Sequence, residues 1–330
     1  MRSNCFKSEN SGFGATVICI LLLMTAFVLC ACDRTVSPEV TESPTPVTDA
    51  GVTVTDNPVS GGDITESAVT DTDVTERELL GEGMLKAVYF DAGHADSFLL
   101  YTDSAAILID SGEKGFGKDV VKYLDSHGID SIDYMFITHF DKDHVGGAAK
   151  IIREKDVFTV YTCDYVKSSD ELQAFSDAAA EKNVTVNMLL EGQSLEIGGM
   201  KIDINTPERM MYESDPSNNS SLIIRVTHGE KSFLFMGDAQ TPRLLEYITG
   251  KPEHCDVLKV PYHGIYQPSL KELCDAVSAD YAVITSSKKE KEDTETNEIL
   301  KDCGTEIYKT RKGNIEFLSD GHNLSVKQIG

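Results

Sequence analysis

Thr138-His139-Phe140-Asp141-Lys142-Asp143-His144-Val145-Gly146-Gly147 decides how this chain reads. An apolar run at residues 132–137 precedes it and has the pattern of a buried strand; a helix start follows it. Four potential metal ligands fall within six residues, spaced H-x-D-x-D-H. In a tight turn at a strand end, that spacing presents two pairs of donors to two adjacent cations, His139 with Asp141 and Asp143 with His144. Imidazole and carboxylate together suit zinc, manganese or iron. The competing reading is a polar turn with solvated aspartates. A lone histidine would favour that turn, whereas so dense a cluster favours metal.

The stretch resembles the signature of the metallo-β-lactamase superfamily. More narrowly, it resembles the extracellular metallohydrolase domain of DNA-uptake competence proteins, which often have Asp where the wider family has its second His, as Asp141 stands here. The resemblance runs over about residues 84–320. It implies an α/β fold, the four-layer αβ/βα metallo-β-lactamase sandwich, and two successive β/α halves in the sequence agree with that layering. It also implies further ligands. Phe233-Leu234-Phe235-Met236-Gly237-Asp238 ends in the Gly-Asp that the family uses for a carboxylate shared by both metals, an arrangement that suits cations about 3.5–4 Å apart. Pro261-Tyr262-His263-Gly264 supplies His263 as the last ligand of the second position.

The implied centre therefore has His139, Asp141 and Asp238 around one metal and Asp143, His144, His263 and Asp238 around the other. Asp143, Asp238 and His263 are the residues on which turnover is expected to depend most. Two divalent metals are expected, with zinc the first choice and manganese the alternative.

The chain also departs from the pattern. Wider-family members have a third first-position histidine where this chain has Asp215-Pro216-Ser217-Asn218-Asn219, so Asn218 and Asn219 are candidates for completing that position or holding substrate. A capping turn is the plainer role for them. Tyr262 and Ile265 replace a histidine and a serine of the competence pattern, while Ser269 fits a later serine. His94 stands where that subgroup usually has Gln and is a candidate substrate contact. Asp96 and Asp110 are placed to position groups around the metals, or to serve ordinary turns. Gly146-Gly147 is expected to let a helix running to residue 152 start close to the metals.

Upstream, Arg2 and Lys7 precede an apolar run at 13–32 that closes Leu29-Cys30-Ala31-Cys32. This resembles a lipoprotein signal peptide over residues 1–32 with Cys32 as the lipidated residue. An uncleaved anchor is the alternative, and both place the domain on the extracytoplasmic side of the cell membrane. Residues 33–79 are rich in Thr, Pro, Ser, Val and Gly without helical period, the composition of a disordered tether. The hydrolase domain is then 80–330, long enough for one sizeable core.

The chain carries 54 acids and 30 bases, a net −24, of which residues 1–79 hold twelve and four, leaving the domain at −16. Such a surface opposes tight non-specific binding to nucleic-acid backbones. It leaves room for a phosphodiester or other small anion, because bound metals are local positive charges. Cys163, Cys255, Cys274 and Cys303 offer no close zinc pair, and small buried thiols are preferred over disulfides. The expected function is an extracytoplasmic binuclear hydrolase of phosphodiesters, with nucleic acid as one source. The alternatives are a hydrolase of a small ester, lactone or β-lactam, and a surface binding lipoprotein with a degenerate metal site.

Overall fold

The computed structural model describes residues 80–208 and 211–330. The signal-like segment, Cys32 and the 33–79 spacer lie outside the described residues. Among the described residues, no helix is long and apolar enough to cross a membrane.

The first sheet begins with β1 (Leu85–Tyr89), β2 (Ser97–Tyr101) and β3 (Ala106–Ser111), which pair antiparallel as a meander. It then changes direction. β4 (Ser131–Ile137), β5 (Asp156–Thr162) and β6 (Thr185–Met188) add in parallel, each connection carrying helix. The crossovers are α1 (Gly117–Ser126), then α2 (Lys142–Val145) with α3 (Ala148–Glu154), then α4 (Asp170–Lys182). α1 forms because Val120, Val121 and Leu124 share one buried face. It stops because Gly128 takes φ +68 and turns the chain so that Ile129 N–H donates to the Leu124 carbonyl at 2.9 Å.

The second sheet repeats the plan. β7 (Gln193–Ile197), β8 (Met200–Asn205), β9 (Ile223–His228) and β10 (Lys231–Phe235) are antiparallel. β11 (Val257–Lys259), β12 (Tyr281–Ile284) and β13 (Glu306–Lys309) are parallel, joined through α6 (Thr241–Thr249), α7 (Leu270–Val277) and α8 (Thr294–Asp302). The chain then returns to the first sheet, where β14 (Asn314–Ser319) pairs with β1 and β15 (Leu324–Ile329) closes the edge.

The sheets face each other across an aromatic core. Tyr89 packs on Phe98 and Phe235 at ring separations of 5.1 and 5.5 Å, and Phe317 reaches Phe233 and Tyr281 at 6.2 and 5.5 Å. Each such ring removed from water contributes on the order of 2–3 kcal/mol. A separate cluster of Leu234, Leu258, Leu270, Leu273, Val277 and Leu300 joins the second sheet to its helices, which completes the four layers expected from the sequence.

β14 is internal, between β15 and β1; its alternating buried Ile315 and Phe317 fit a strand with one face in the core. The helix expected to start at Gly146-Gly147 and run to residue 152 is α3, which ends at Glu154, and the one-turn α2 precedes it. The glycines sit at a backbone crossing: a Cβ on Gly147 would lie 2.2 Å from the Ser111 carbonyl oxygen, and one on Gly117 2.4 Å from that of Gly147. All four cysteines of the domain are free thiols, with Cys163, Cys255 and Cys274 buried, as preferred from the sequence.

Candidate metal centre

Parallel strands of both sheets end at the same rim, and the loops beyond those ends bring the chemistry together. β4 delivers His139, Asp141, Asp143 and His144; the turn after β10 delivers Asp238; the turn after β11 delivers His263. Asp143, His144, Asp238 and His263 form one tight group of donors. His263 Nε2 lies 3.3 Å from Asp143 Oδ2 and 3.2 Å from Asp238 Oδ2, and His144 Nε2 lies 3.3 Å from the same Asp238 oxygen.

The ring nitrogens facing away from this group are anchored. His144 Nδ1 sits 2.8 Å from Asp110 Oδ2, and Asp110 also accepts from Thr138 N at 2.8 Å and Thr138 Oγ1 at 2.7 Å. His263 Nδ1 is 3.0 Å from Thr285 Oγ1, which donates to Asp96 Oδ1 at 2.7 Å. His139 Nδ1 lies 3.2 and 3.4 Å from Thr138 Oγ1 and Ser221 Oγ. Such outer contacts fix tautomer and ring orientation in metal sites. The inward Nε2 atoms of His139, His144 and His263, and Asp238 Oδ1, are buried without a hydrogen bond. Buried polar atoms are rarely left unpaired, and three imidazole nitrogens beside carboxylates are the donor set divalent cations take. The residues therefore fit metal.

Local backbone is bent to achieve this. Asp110, Tyr262 and His263 hold φ of 54°, 49° and 51°, left-handed values that cost a non-glycine residue on the order of 1–3 kcal/mol. Hydrogen bonds offset the cost: Tyr262 N donates to the Gly237 carbonyl at 3.3 Å and Ile265 N to the Tyr262 carbonyl at 2.8 Å. Gly237 itself takes φ +52, and a Cβ there would press on Ser221 at 2.9 Å.

Charge follows the same layout. Burial opposes ionisation of His144 and His263, yet Asp238 with Asp110, and Asp238 with Asp96, raise their pKa values well above the usual imidazole range. Burial likewise opposes the carboxylate of Asp143, but the adjacent His263 and His144 imidazoles hold it at about 2. Asp238 is held well below its ordinary range by His263 and His144 against its burial. His139 goes the other way, lowered by burial and by His144.

The remaining sequence candidates separate. His94 stacks beside His263 with ring centroids 4.2 Å apart, and its Nδ1 is buried without a hydrogen bond. Burial and His263 lower its pKa. Asn218 and Asn219 lie in a one-turn helix, α5 (Pro216–Asn219), where the sequence suggests a plain loop; four residues are too few to show a period. Asn219 is structural: its amide donates to the Ser214 and Asp215 carbonyls and its oxygen accepts from Gln240 N. Asn218 donates to Asp215 and leaves Oδ1 buried and unpaired. Ser269 caps the start of α7 with an unpaired, buried Oγ.

Sequence reasoning misses Lys259, Lys167 and Arg243. Lys259 is fully buried, ion-pairs with Asp96, lies 3.5 Å from Asp238 Oδ1 and donates to the Gly237 carbonyl at 2.8 Å. A lysine inside Val257-Leu258-Lys259-Val260 is the signal that marks it. Lys167 contacts both oxygens of Asp141 at 2.8 Å. Arg243, also fully buried, donates to Asn205 and Ser221 and pins the segment carrying Asn218.

Fold and donor cluster define a metal-dependent hydrolase of the metallo-β-lactamase fold. The family described as the beta-lactamase superfamily domain matches residues 106–283, more than half of the chain, and the chain belongs to it. ComE operon protein 3 of Bacillus subtilis (strain 168) is 27% identical over 174 residues, 52% of this chain and 22% of that protein. Competence protein ComA of Neisseria gonorrhoeae is 24% identical over 213 residues, 63% of this chain and 28% of that protein. The chain thus spans about a quarter of the length of these relatives. The crystal structure of the metallo-beta-lactamase fold protein YhfI from Bacillus subtilis superposes with a TM-score of 0.51 at 12% identity, over 71% of this chain and 99% of that one, which shows a shared fold.

Proposed function

We propose that this chain is a two-metal phosphodiesterase acting outside the cytoplasmic membrane, tethered there through lipidated Cys32. The observation that carries the hydrolase reading is the grouping of Asp143, His144, Asp238 and His263 donor atoms, with His139 packed against His144 and its buried Nε2 free of a hydrogen bond. The phosphodiester preference is supported by the similarity to the competence proteins. Asp143, His144, His263 and Asp238 would hold one cation; His139 and Asp141, with Asp238 shared and Asn218 Oδ1 alongside, would hold the other. Bound metals supply Lewis acidity toward a phosphoryl oxygen and make water nucleophilic near neutral pH.

The chain's own residues prepare that chemistry. Asp110 and Thr285 aim His144 and His263 inward, so no reorientation is required when substrate arrives. Lys259 partly neutralises Asp96 and Asp238 from behind and keeps three buried carboxylates compatible. His94, whose ring lies against His263, is the candidate substrate contact on that side of the centre. The net −16 surface gives no grip on a long polyanion, so short or end-bound substrates are favoured.

The test is hydrolysis of a model phosphodiester, short single-stranded DNA, a lactone and a β-lactam by protein loaded with zinc or manganese. Cleavage of the phosphodiesters, lost with chelator, is expected. Turnover confined to the lactone or β-lactam would replace the substrate class. Protein that takes up no added metal and cleaves none of these substrates would favour a binding lipoprotein.

A further inference from the structure

Asp141 is the carboxylate that the second cation needs, and it is already engaged. Lys167 Nζ lies 2.8 Å from each of its oxygens, and Ser217 Oγ donates to the same group. The two partners come from opposite sides: Lys167 from the segment between β5 and α4, Ser217 from the first turn of α5. Asp143, across the centre, faces imidazole nitrogens of His263 and His144 at 3.3 and 3.8 Å. Imidazoles can give up protons and become ligands. An ammonium cannot ligate while charged and must leave.

We infer that Lys167 is a built-in competitor for the His139–Asp141 position. Its ammonium must be displaced from Asp141 before a divalent cation can use that carboxylate. The inference rests on the two-metal reading above. Displacement is easy, because 48% of the Lys167 side chain is already exposed and the segment around it, from Val166 to Ser168, lies at the surface. A partner that must first be displaced lowers apparent affinity by the fraction of molecules in which the site is free. A half-exposed ion pair is worth little, so the reduction is roughly threefold to tenfold rather than an absolute block.

The test measures metal, not turnover. Chelator-stripped protein is titrated with zinc chloride, and separately manganese chloride, by calorimetry, with bound metal counted by elemental mass spectrometry. Wild type is expected to bind one cation tightly and one weakly. Lys167→Met should tighten the weak cation roughly threefold to tenfold and leave the tight one unchanged, while Lys167→Arg, which keeps the charge, should behave as wild type. An unchanged or weaker second cation in Lys167→Met overturns the inference, as does an arginine variant that behaves like the methionine one. Two equally tight cations in wild type overturn it while leaving the two-metal reading intact. A protein that binds no metal overturns both.

Discussion

The two corners of the centre are built differently. The His263 corner is sealed: His144, His263 and Asp238 are buried, and behind them Asp110, Asp96, Thr285 and Lys259 form a second buried layer in which partners face one another. The His139 corner is open. Its histidine is buried, but Asp141 is partly exposed and tied to a surface lysine. One corner has its ligands fixed by charges that cannot rearrange without loss of packing, and the other by contacts that water can replace.

The comparison is broken most severely at the sealed corner. His263→Ala should remove the tight cation, lowering its affinity more than about a hundredfold, beyond the loss usual for an outer partner, and abolish turnover. His139→Ala should spare the tight cation and lose the weak one. Stoichiometry in the two variants checks this, and identical losses would mean that the corners are not separable. Asp110→Asn comes next. It preserves shape around Thr138 but removes the carboxylate that orients His144, so metal affinity should fall roughly tenfold to a hundredfold with melting temperature little altered.

The asparagines sharpen the comparison. Asn219→Ala breaks three hydrogen bonds and should cost about 1–3 kcal/mol of stability in denaturant unfolding. Asn218→Ala should leave stability nearly unchanged and shift only the metal concentration needed for activity. A pH-dependent effect is expected at Glu292, whose backbone lies against Gly264, beside His263. Burial raises its pKa, but hydrogen bonds from Arg311 and Lys309 outweigh it and hold the group at about 2. A depressed carboxylate stabilises the fold above its unfolded pKa of 4.5, and that contribution is lost as pH falls toward 2. Glu292→Gln should therefore lower stability near neutral pH and flatten the acid limb between those values, as read by melting temperature against pH.

Much of this was legible in the chain. β4 covers the apolar run at 132–137 from which the sequence predicts a buried strand, because apolar spacing is a local signal. The dense ligand stretch at 139–144 was visible for the same reason. The asymmetry of the centre was not, because its causes are distant in sequence: Lys167 is 26 residues from Asp141 and Ser217 is 76. The unequal roles of Asn218 and Asn219 depend on which amide α5 turns toward Gln240, a matter of one helical step. Lys259 alone left a trace, as a charge inside an apolar strand, and it reads as a defect until Asp96 is found opposite it.

The return of the chain to its first sheet constrains how the molecule can be assembled. Leu85 is paired with Ser319 and Tyr89 with Ile315, so the first strand of the domain waits for nearly the last. A polypeptide emerging from the ribosome or from a secretion pore will have produced every ligand by residue 263 and still lack the strand that covers β1. Contacts of such long sequence separation form slowly. The edge of β1 meanwhile stays open to any other extended segment. Nascent chains stalled before residue 314 should accordingly be the form most prone to proteolysis and to self-association, even though their complement of metal ligands is complete.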